Sequence, residues 1–197
     1  MRGAEQIPWL YDTAMAILER MGLGPWRLWL AEGARGRTLD LGCGTGRNLP
    51  LLPPGALAVG VDPCAQSLAR ARRRSPVALL VQARAEALPF RDGAFDTVAS
   101  GLVLCSVTDP ALAASEMLRV LAPGGSVRAL EHVRSPLPWK ARLQDWTQPA
   151  WTALSGGCHP NRETERTLEE AGLSIDPATR RERDTMRRFE ARPRGAR

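Results

Sequence analysis

The stretch TLDLGCGTGRN, residues 38–48, decides how this chain folds. An apolar strand ends near the acid Asp40, three glycines follow at alternate positions (Gly42, Gly44 and Gly46), and the next residues are typical of a helix start. Glycine adopts backbone conformations that other residues avoid, so such a loop turns sharply and lets a ligand approach the main chain. The stretch predicts a strand, a ligand-binding loop and a helix, in that order.

A second apolar run, residues 56–61, ends in Asp62, twenty positions after Gly42. An acid at this distance can accept hydrogen bonds from both ribose hydroxyls of a nucleoside. The glycine spacing is G-x-G-x-G rather than the G-x-G-x-x-G of dinucleotide sites, and the carboxylate of Asp40 would repel a pyrophosphate. These features favour a ligand with a ribose, an ammonium and a sulfonium, as in S-adenosylmethionine.

Strands and helices alternate along the first two thirds of the chain. The patterns predict strands near residues 37–41, 56–62, 77–82, 94–100 and 125–131, and helices near 46–52, 64–74 and 110–121. Asp109 is expected to cap the last of these helices, with Pro110 in its first position. The alternation predicts an α/β fold with a doubly wound, mostly parallel sheet. Ligands of such sheets bind outside the carboxyl ends of the strands, where Asp40, Asp62 and Ser100 fall.

A length of 197 residues suits one domain. Within it we expect N-terminal helices (1–33), a cofactor-binding core (34–135) and substrate-side helices with the last strands (136–197). The first helix should end at Gly22 and Gly24, and its apolar face predicts either core packing or a lid over the ligand. That face consists of Leu10, Ala14, Ile17, Leu18 and Met21.

The last third of the chain is less clearly patterned. Residues 136–154 predict a helix bent at Pro149, and Asn161 is expected to cap a helix that runs to Ala171. Residues 173–177 and 186–192 are the candidate last strands. Three tryptophans of the helix predicted at residues 136–154 either line an apolar pocket or belong to the core: Trp139, Trp146 and Trp151.

Composition is that of an ordinary soluble chain, with 44% hydrophobic and 24% charged residues. No apolar run approaches the length of a membrane span, and the N-terminus does not resemble a signal peptide. The cysteines are scattered without C-x-x-C spacing, so neither a metal site nor a disulfide framework is predicted. A cytoplasmic location is expected. The four cysteines are Cys43, Cys64, Cys105 and Cys158.

The net charge is +6 and almost all the cationic residues are arginine, since Lys140 is the single lysine. The arginines indicate either an anionic partner, such as a nucleic acid or a membrane surface, or solvated faces without a partner. Aromatic residues that could stack on bases are not interleaved with them, which makes nucleic acid the less favoured partner. They cluster at Arg70, Arg72, Arg73 and Arg74 and at Arg180, Arg181, Arg183, Arg187, Arg188, Arg192, Arg194 and Arg197.

The chain resembles the class I S-adenosylmethionine-dependent methyltransferases. Besides the glycine stretch, the resemblance rests on residues 59–63, 85–96 and 119–125. It implies that the first strand end holds the methionine part of the cofactor, the second the ribose, and the 84–90 loop the adenine. The implied cofactor-binding residues are Asp40, Gly42, Cys43, Gly44, Gly46, Asp62, Pro63, Ala85, Glu86, Ser100 and Leu102.

Four shorter stretches are similar to the methyltransferase-like thiol methyltransferases: residues 101–107, 131–133, 157–158 and 162–164. This similarity implies a small apolar thiol as acceptor and contact with a membrane surface. The chain is expected to depart from the animal members by lacking their hydrophobic N-terminal anchor. It also has Arg84 where many relatives carry an acid against adenine, so Glu86 or backbone near Ala85 is expected to recognise that base.

Two histidines are the candidate catalytic residues, His132 at the end of the fifth strand and His159 in a glycine-rich loop. A capping role and a surface turn are the respective alternatives. Methyl transfer to a thiol needs little base catalysis, because a few per cent of a thiol is already thiolate at neutral pH. Other acceptors stay open, namely a quinone, a phenol or a lipid amine. From another class of function, an arginine-rich RNA-binding protein on the same scaffold also stays open.

Overall fold

The structure, a computed structural model, describes residues 8–195. It contains one eight-stranded sheet in the order β3-β2-β1-β4-β5-β8-β6, with β7 paired to β8. The strands are β1 (Arg37–Leu41), β2 (Leu57–Asp62), β3 (Leu79–Gln82), β4 (Phe95–Gly101), β5 (Leu121–His132), β6 (Leu173–Ile175), β7 (Arg181–Arg183) and β8 (Met186–Pro193).

Strands β1 to β5 pair in parallel, whereas β8 runs antiparallel to β5, β6 and β7. The strand order reverses between β1 and β4, since the chain proceeds outward through β2 and β3 before it returns to β4. This reversal opens a crevice at the carboxyl ends of β1 and β4, where ligands of doubly wound sheets bind. The predicted fold class is confirmed.

Helices cover the sheet and close one end of it. They are α1 (Pro8–Leu18), α2 (Gly24–Glu32), α3 (Ala65–Arg74), α4 (Pro110–Val120), α5 (Pro138–Ser155) and α6 (Thr164–Glu170). The π-helical turn Glu19–Leu23 joins α1 to α2, with Gly22 at φ 119°. Asp109 caps α4 as predicted, because its carboxylate accepts hydrogen bonds from the backbone N–H groups of Ala111 and Leu112, each at 3.0 Å.

The core forms where the central strands meet α4 and α6. Fully buried side chains of β1, β4 and β8 pack there, among them Leu39, Val98 and Phe189, together with Met117 and Leu168 of the two helices. On another part of the sheet, a second cluster holds Leu30 of α2 against Ala99 and Leu130. The sheet thus fixes α2, and with it the N-terminal segment, next to the crevice.

Two local predictions were wrong. Residues 46–52 do not form an α-helix; the segment contains only the 3-10 turn Leu49–Leu51, because Pro50 lies inside it and Pro53 and Pro54 follow at once. Asn161 does not cap α6, which begins at Thr164 after Glu163. The Asn161 amide instead donates to Asp145 Oδ1 at 2.9 Å, so its side chain is turned toward α5.

Several apolar side chains predicted to be buried lie at the surface. Trp139 and Trp146 of α5 are 62% and 81% exposed, and therefore belong neither to the core nor to a pocket. On α1, Ile17 is likewise exposed. Among residues 8–195 no helix combines the length and the apolar character needed to cross a bilayer.

Candidate functional site

A cavity of about 780 Å³ opens at the carboxyl ends of β1, β2 and β4. Its floor and one edge contain eight of the thirteen residues predicted for the site: Gly42, Gly44, Asp62, Pro63, Ala85, Glu86, Leu102 and His132. Its remaining wall comes from the N-terminal helices and from the loops around α5 and β8. Asp40, Cys43, Gly46, Ser100 and His159 are not part of the lining.

Asp62 ends β2 with its carboxylate fixed in place. Oδ2 accepts a hydrogen bond from the Gly44 backbone N–H at 2.9 Å, and Oδ1 accepts one from the Cys64 N–H at 2.8 Å. Each oxygen keeps a further lone pair, which can accept from a ligand hydroxyl. Burial raises the pKa of Asp62 while the two backbone hydrogen bonds oppose the rise. The arrangement suits a pair of ribose hydroxyls.

The first two glycines of the loop share a backbone conformation but differ in the space around them. Gly42 and Gly44 both have positive φ, 57° and 53°. A Cβ on Gly42 would lie 2.6 Å from Val103 Cγ2, whereas a Cβ on Gly44 would meet no atom closer than 4.0 Å. Gly42 therefore permits close packing against the segment after β4. Gly44 leaves an open cradle beside Asp62, and S-adenosylmethionine fits this combination.

Asp40 lies beneath the loop, fully buried, rather than in the cavity. Its Oδ1 accepts from Asn48 Nδ2 at 2.7 Å, and Asn48 in turn accepts from Arg27 at 2.5 Å. Its Oδ2 has no hydrogen-bond partner within residues 8–195. Burial raises the pKa of Asp40 to about 7, against the opposing Asn48 hydrogen bond. In this geometry the acid supports the loop from below, and direct contact with a ligand ammonium stays a prediction.

Glu131 orders the cavity edge, a role that sequence reasoning did not assign. Its fully buried carboxylate accepts from Ser100 Oγ at 2.7 Å and from the backbone N–H groups of Val103 and Leu104 at 3.3 and 3.2 Å. These bonds fix the segment after β4, in which Leu102 has the strained φ of 64°. An acid inside an otherwise apolar strand was the available signal, since a buried charge needs such partners.

The predicted adenine loop is held by its own side chains. Glu86 Oε1 accepts from the backbone N–H groups of Thr108 and Asp109 at 2.8 and 3.2 Å. Arg84 donates to Thr108 Oγ1 at 2.7 Å and lies 3.5 Å from Glu86. Because Glu86 is committed to this loop, the backbone near Ala85 is the better candidate for adenine recognition.

The N-terminal helices form a wall over the glycine loop. Tyr11, Met15, Leu18, Met21 and Trp26 line the cavity from this side. The segment therefore both lines the cavity and packs on the sheet, and its role as a lid stays a prediction. The exposed faces of Leu18 and Met21 continue the same apolar wall to the surface.

An ion-pair network fastens that wall, and it was not foreseen. Asp12 accepts from Thr45 Oγ1 at 2.6 Å and pairs with Arg47, Arg70 and Arg74 at 3.3, 3.4 and 3.2 Å. Part of the first arginine cluster is therefore used inside the chain. The second cluster shows similar pairs, such as Arg180 with Glu165 at 2.6 Å and Arg192 with Glu190 at 2.8 Å.

The far side of the cavity holds His132. Its Nδ1 lies 3.8 Å from Cys158 Sγ, and its ring packs edge-on against Trp151 with the centroids 6.4 Å apart. His159 has a different environment: its Nδ1 contacts the Gly157 carbonyl at 2.7 Å, and its backbone N–H donates to the Cys105 carbonyl. Of the two candidate histidines, only His132 faces the cavity.

The family described as a methyltransferase domain matches residues 39–129. The chain is 32% identical over 173 residues to the Homo sapiens thiol S-methyltransferase TMT1A, and the aligned region covers 84% of this chain and 71% of that protein. It is 36% identical over 152 residues to the Homo sapiens thiol S-methyltransferase TMT1B, covering 72% of this chain and 62% of that relative's length.

Other relatives carry other names. The demethylmenaquinone methyltransferase of Beutenbergia cavernae is 36% identical over 170 residues, with 82% of this chain and 70% of that protein covered. A solved structure from Thermotoga maritima, described as an S-adenosylmethionine-dependent methyltransferase and possible histamine N-methyltransferase, superposes with a TM-score of 0.69. It shares 19% identity, covers 92% of this chain and 94% of its own, and shows the same fold.

The cradle at Gly44, the carboxylate of Asp62 and these relatives lead to the same conclusion. The chain belongs to the class I S-adenosylmethionine-dependent methyltransferases.

Proposed function

We propose that the chain transfers a methyl group to the sulfur of a small apolar thiol. The observation that carries the proposal is the apolar lining beside His132, where Trp151 packs edge-on against the His132 ring and Met186 pairs with His132 in the sheet. The identity to the thiol S-methyltransferases TMT1A and TMT1B supports the same acceptor class.

S-adenosylmethionine supplies, when bound, a methyl group on a sulfonium that a nucleophile can displace. The chain's own residues hold and align: the backbone at Gly42 and Gly44 and the carboxylate of Asp62 would hold the cofactor, and the N-terminal wall would exclude water. Alignment of this kind can lower a barrier by about 7–11 kcal/mol.

His132 is expected to help only modestly. An apolar thiol needs to lose one proton, and the His132 ring faces the cavity where it could receive it. Because a thiolate is already a good nucleophile, the rate should rise with pH toward a thiol pKa of about 8.5 rather than level off near 6.5. A loss of less than about tenfold in His132→Ala would fit this role, whereas base catalysis is worth ~10²–10⁴-fold.

The test is a panel of acceptors with labelled methyl donor: apolar thiols, phenols, quinones, lipid amines and RNA. The expected result is methylation of a thiol, with a loss of less than about tenfold in His132→Ala. His159→Ala is the control, because His159 is not part of the cavity lining. If no thiol is methylated while another acceptor is, the thiol proposal fails and only the methyltransferase assignment stands.

A quinone is the second candidate, supported by the identity to a demethylmenaquinone methyltransferase over 170 residues. The apolar wall would accept a ring of that kind equally well. A steep loss in His132→Ala together with quinone methylation would favour this candidate over the thiol.

A further inference from the structure

Two cysteines lie together at the acceptor end of the cavity. Cys105 and Cys158 are both free, both buried, and both part of the cavity lining. They come from distant parts of the chain, the segment after β4 and the loop after α5. Neither thiol has a task in holding the methyl donor or in aligning the acceptor as proposed above.

Hydrogen bonds hold the loop that contains Cys158 against the segment that contains Cys105. The N–H of His159, the residue after Cys158, donates to the Cys105 carbonyl at 2.7 Å. The Cys158 N–H donates to Ser155 Oγ at 3.1 Å, and its carbonyl accepts from Thr152 Oγ1 at 2.9 Å. The loop after α5 is thereby fixed against the segment after β4, and both thiols lie in the lining of the same cavity.

The two thiols differ in acidity. Hydrogen bonds from the Cys105 thiol, then from His132 and the Trp151 indole, lower the pKa of Cys158 although burial opposes this. The hydrogen bond to Cys158 and burial raise the pKa of Cys105. A thiolate beside a protonated thiol is the arrangement with which dithiols attack and then resolve a disulfide.

We infer that Cys158 and Cys105 form a dithiol that reduces small apolar disulfides entering the cavity. The Cys158 thiolate attacks one sulfur of R–S–S–R, the S–S bond breaks, R–S⁻ leaves, and Cys158–S–S–R forms. Cys105 gives up its proton and attacks the Cys158 sulfur, which releases the second R–S⁻ and leaves a Cys105–Cys158 disulfide.

The reaction balances as one disulfide plus two cysteine thiols giving two thiols plus one protein disulfide. Two electrons pass from the protein dithiol to the disulfide, and the two cysteine protons end on the released thiols. An external dithiol reductant restores the pair. The apolar side chains of Trp151 and Met186, which lie at His132 beside Cys158, favour uncharged disulfides. The inference does not require the methyl acceptor to be a thiol, since it needs no methyl donor.

The experiment uses the reduced full chain, without cofactor, and one equivalent of dipyridyl disulfide, an uncharged reagent that releases a coloured thione. Wild type should release two thiones per reagent consumed, and peptide mapping under non-reducing conditions should find a Cys105–Cys158 cross-link. The mapping needs no variant and therefore does not depend on whether a variant folds.

Variants separate the two steps. Cys105→Ser should release one thione and retain the other half of the reagent on Cys158, seen as a mass increase. Cys158→Ser should slow the fast release at least tenfold. A reagent adduct on Cys64 without any Cys105–Cys158 cross-link would overturn the inference. Methylation of the acceptor panel is measured separately, so either proposal can fail alone.

Discussion

The two ends of the cavity are built in different ways. The cofactor end uses backbone and one carboxylate from two adjacent strand ends, so that Gly44 and Asp62 meet through a single 2.9 Å hydrogen bond. The acceptor end uses side chains from three separate segments, namely His132 of β5, Trp151 of α5 and Met186 of β8. The cofactor end depends on loop conformation, so few substitutions there should be tolerated. The acceptor end depends on apolar contact, so substitutions there should weaken acceptor binding by smaller steps.

The largest effects are expected at the glycine loop. Gly42→Ala should lower the free energy of unfolding by about 2–5 kcal/mol, since left-handed backbone costs about 1–2 kcal/mol and the clash with Val103 about 1–3 kcal/mol more. Gly44→Ala should cost only about 1–2 kcal/mol and should instead obstruct the cofactor. Chemical denaturation and calorimetric titration with S-adenosylmethionine measure the two effects. Equal stability losses in both variants would contradict the different packing of the two glycines.

Asp62→Ala should weaken S-adenosylmethionine binding by about 1.5–3 kcal/mol, the range for hydrogen bonds to a charged group. Titration calorimetry measures it, with NAD as a second ligand that should not bind detectably. Asp92→Ala is the matched control, because that carboxylate is exposed and pairs with Arg119 away from the cavity lining. Unchanged affinity in Asp62→Ala would mean that this acid does not hold the ribose.

Two tryptophans of α5 test the acceptor end. Trp151 lines the cavity and packs on His132, whereas Trp146 is 81% exposed on the same helix. Trp151→Ala should raise the KM for an apolar thiol by roughly five- to thirtyfold, since it removes about 1–2 kcal/mol of apolar burial. Trp146→Ala should change KM less than about twofold. Similar KM values in both variants would place the acceptor elsewhere.

The smallest effect is expected at the basic C-terminus. Neutralising Arg192, Arg194 and Arg197 should leave turnover of a small acceptor within about twofold, since surface changes seldom exceed ~0.5 kcal/mol. Arg192 already pairs with Glu190, and Arg197 lies outside the described residues. Steady-state rates at two salt concentrations check this. A tenfold loss of turnover would indicate an anionic substrate or partner that neither end of the cavity, as described above, would bind.

The carboxyl ends of β1 to β5 could be predicted to within one residue, because each apolar run ended in a polar or glycine signal, whereas β5 begins at Leu121, four residues before its predicted start. The helix predicted at residues 46–52 is absent, because Pro50 decides the local backbone there although the preceding glycines are typical of a helix start. Asn161 illustrates a second reason. A residue with good capping chemistry had a better partner, Asp145, on a helix that only the fold brings near.

The sequence by itself determined the strand–loop–strand unit around Gly42, Gly44 and Asp62, because each of those features is set by neighbours a few residues away or by a fixed strand spacing. Only the tertiary structure decided that Asp40 lies under the loop and that Asp12 forms ion pairs with Arg70 and Arg74 of the first arginine cluster. It also decided that Cys105, His132 and Cys158 meet. Cys105, His132 and Cys158 are separated by tens of residues, and the packing of the loop after α5 against the segment after β4 brings them to one end of the cavity.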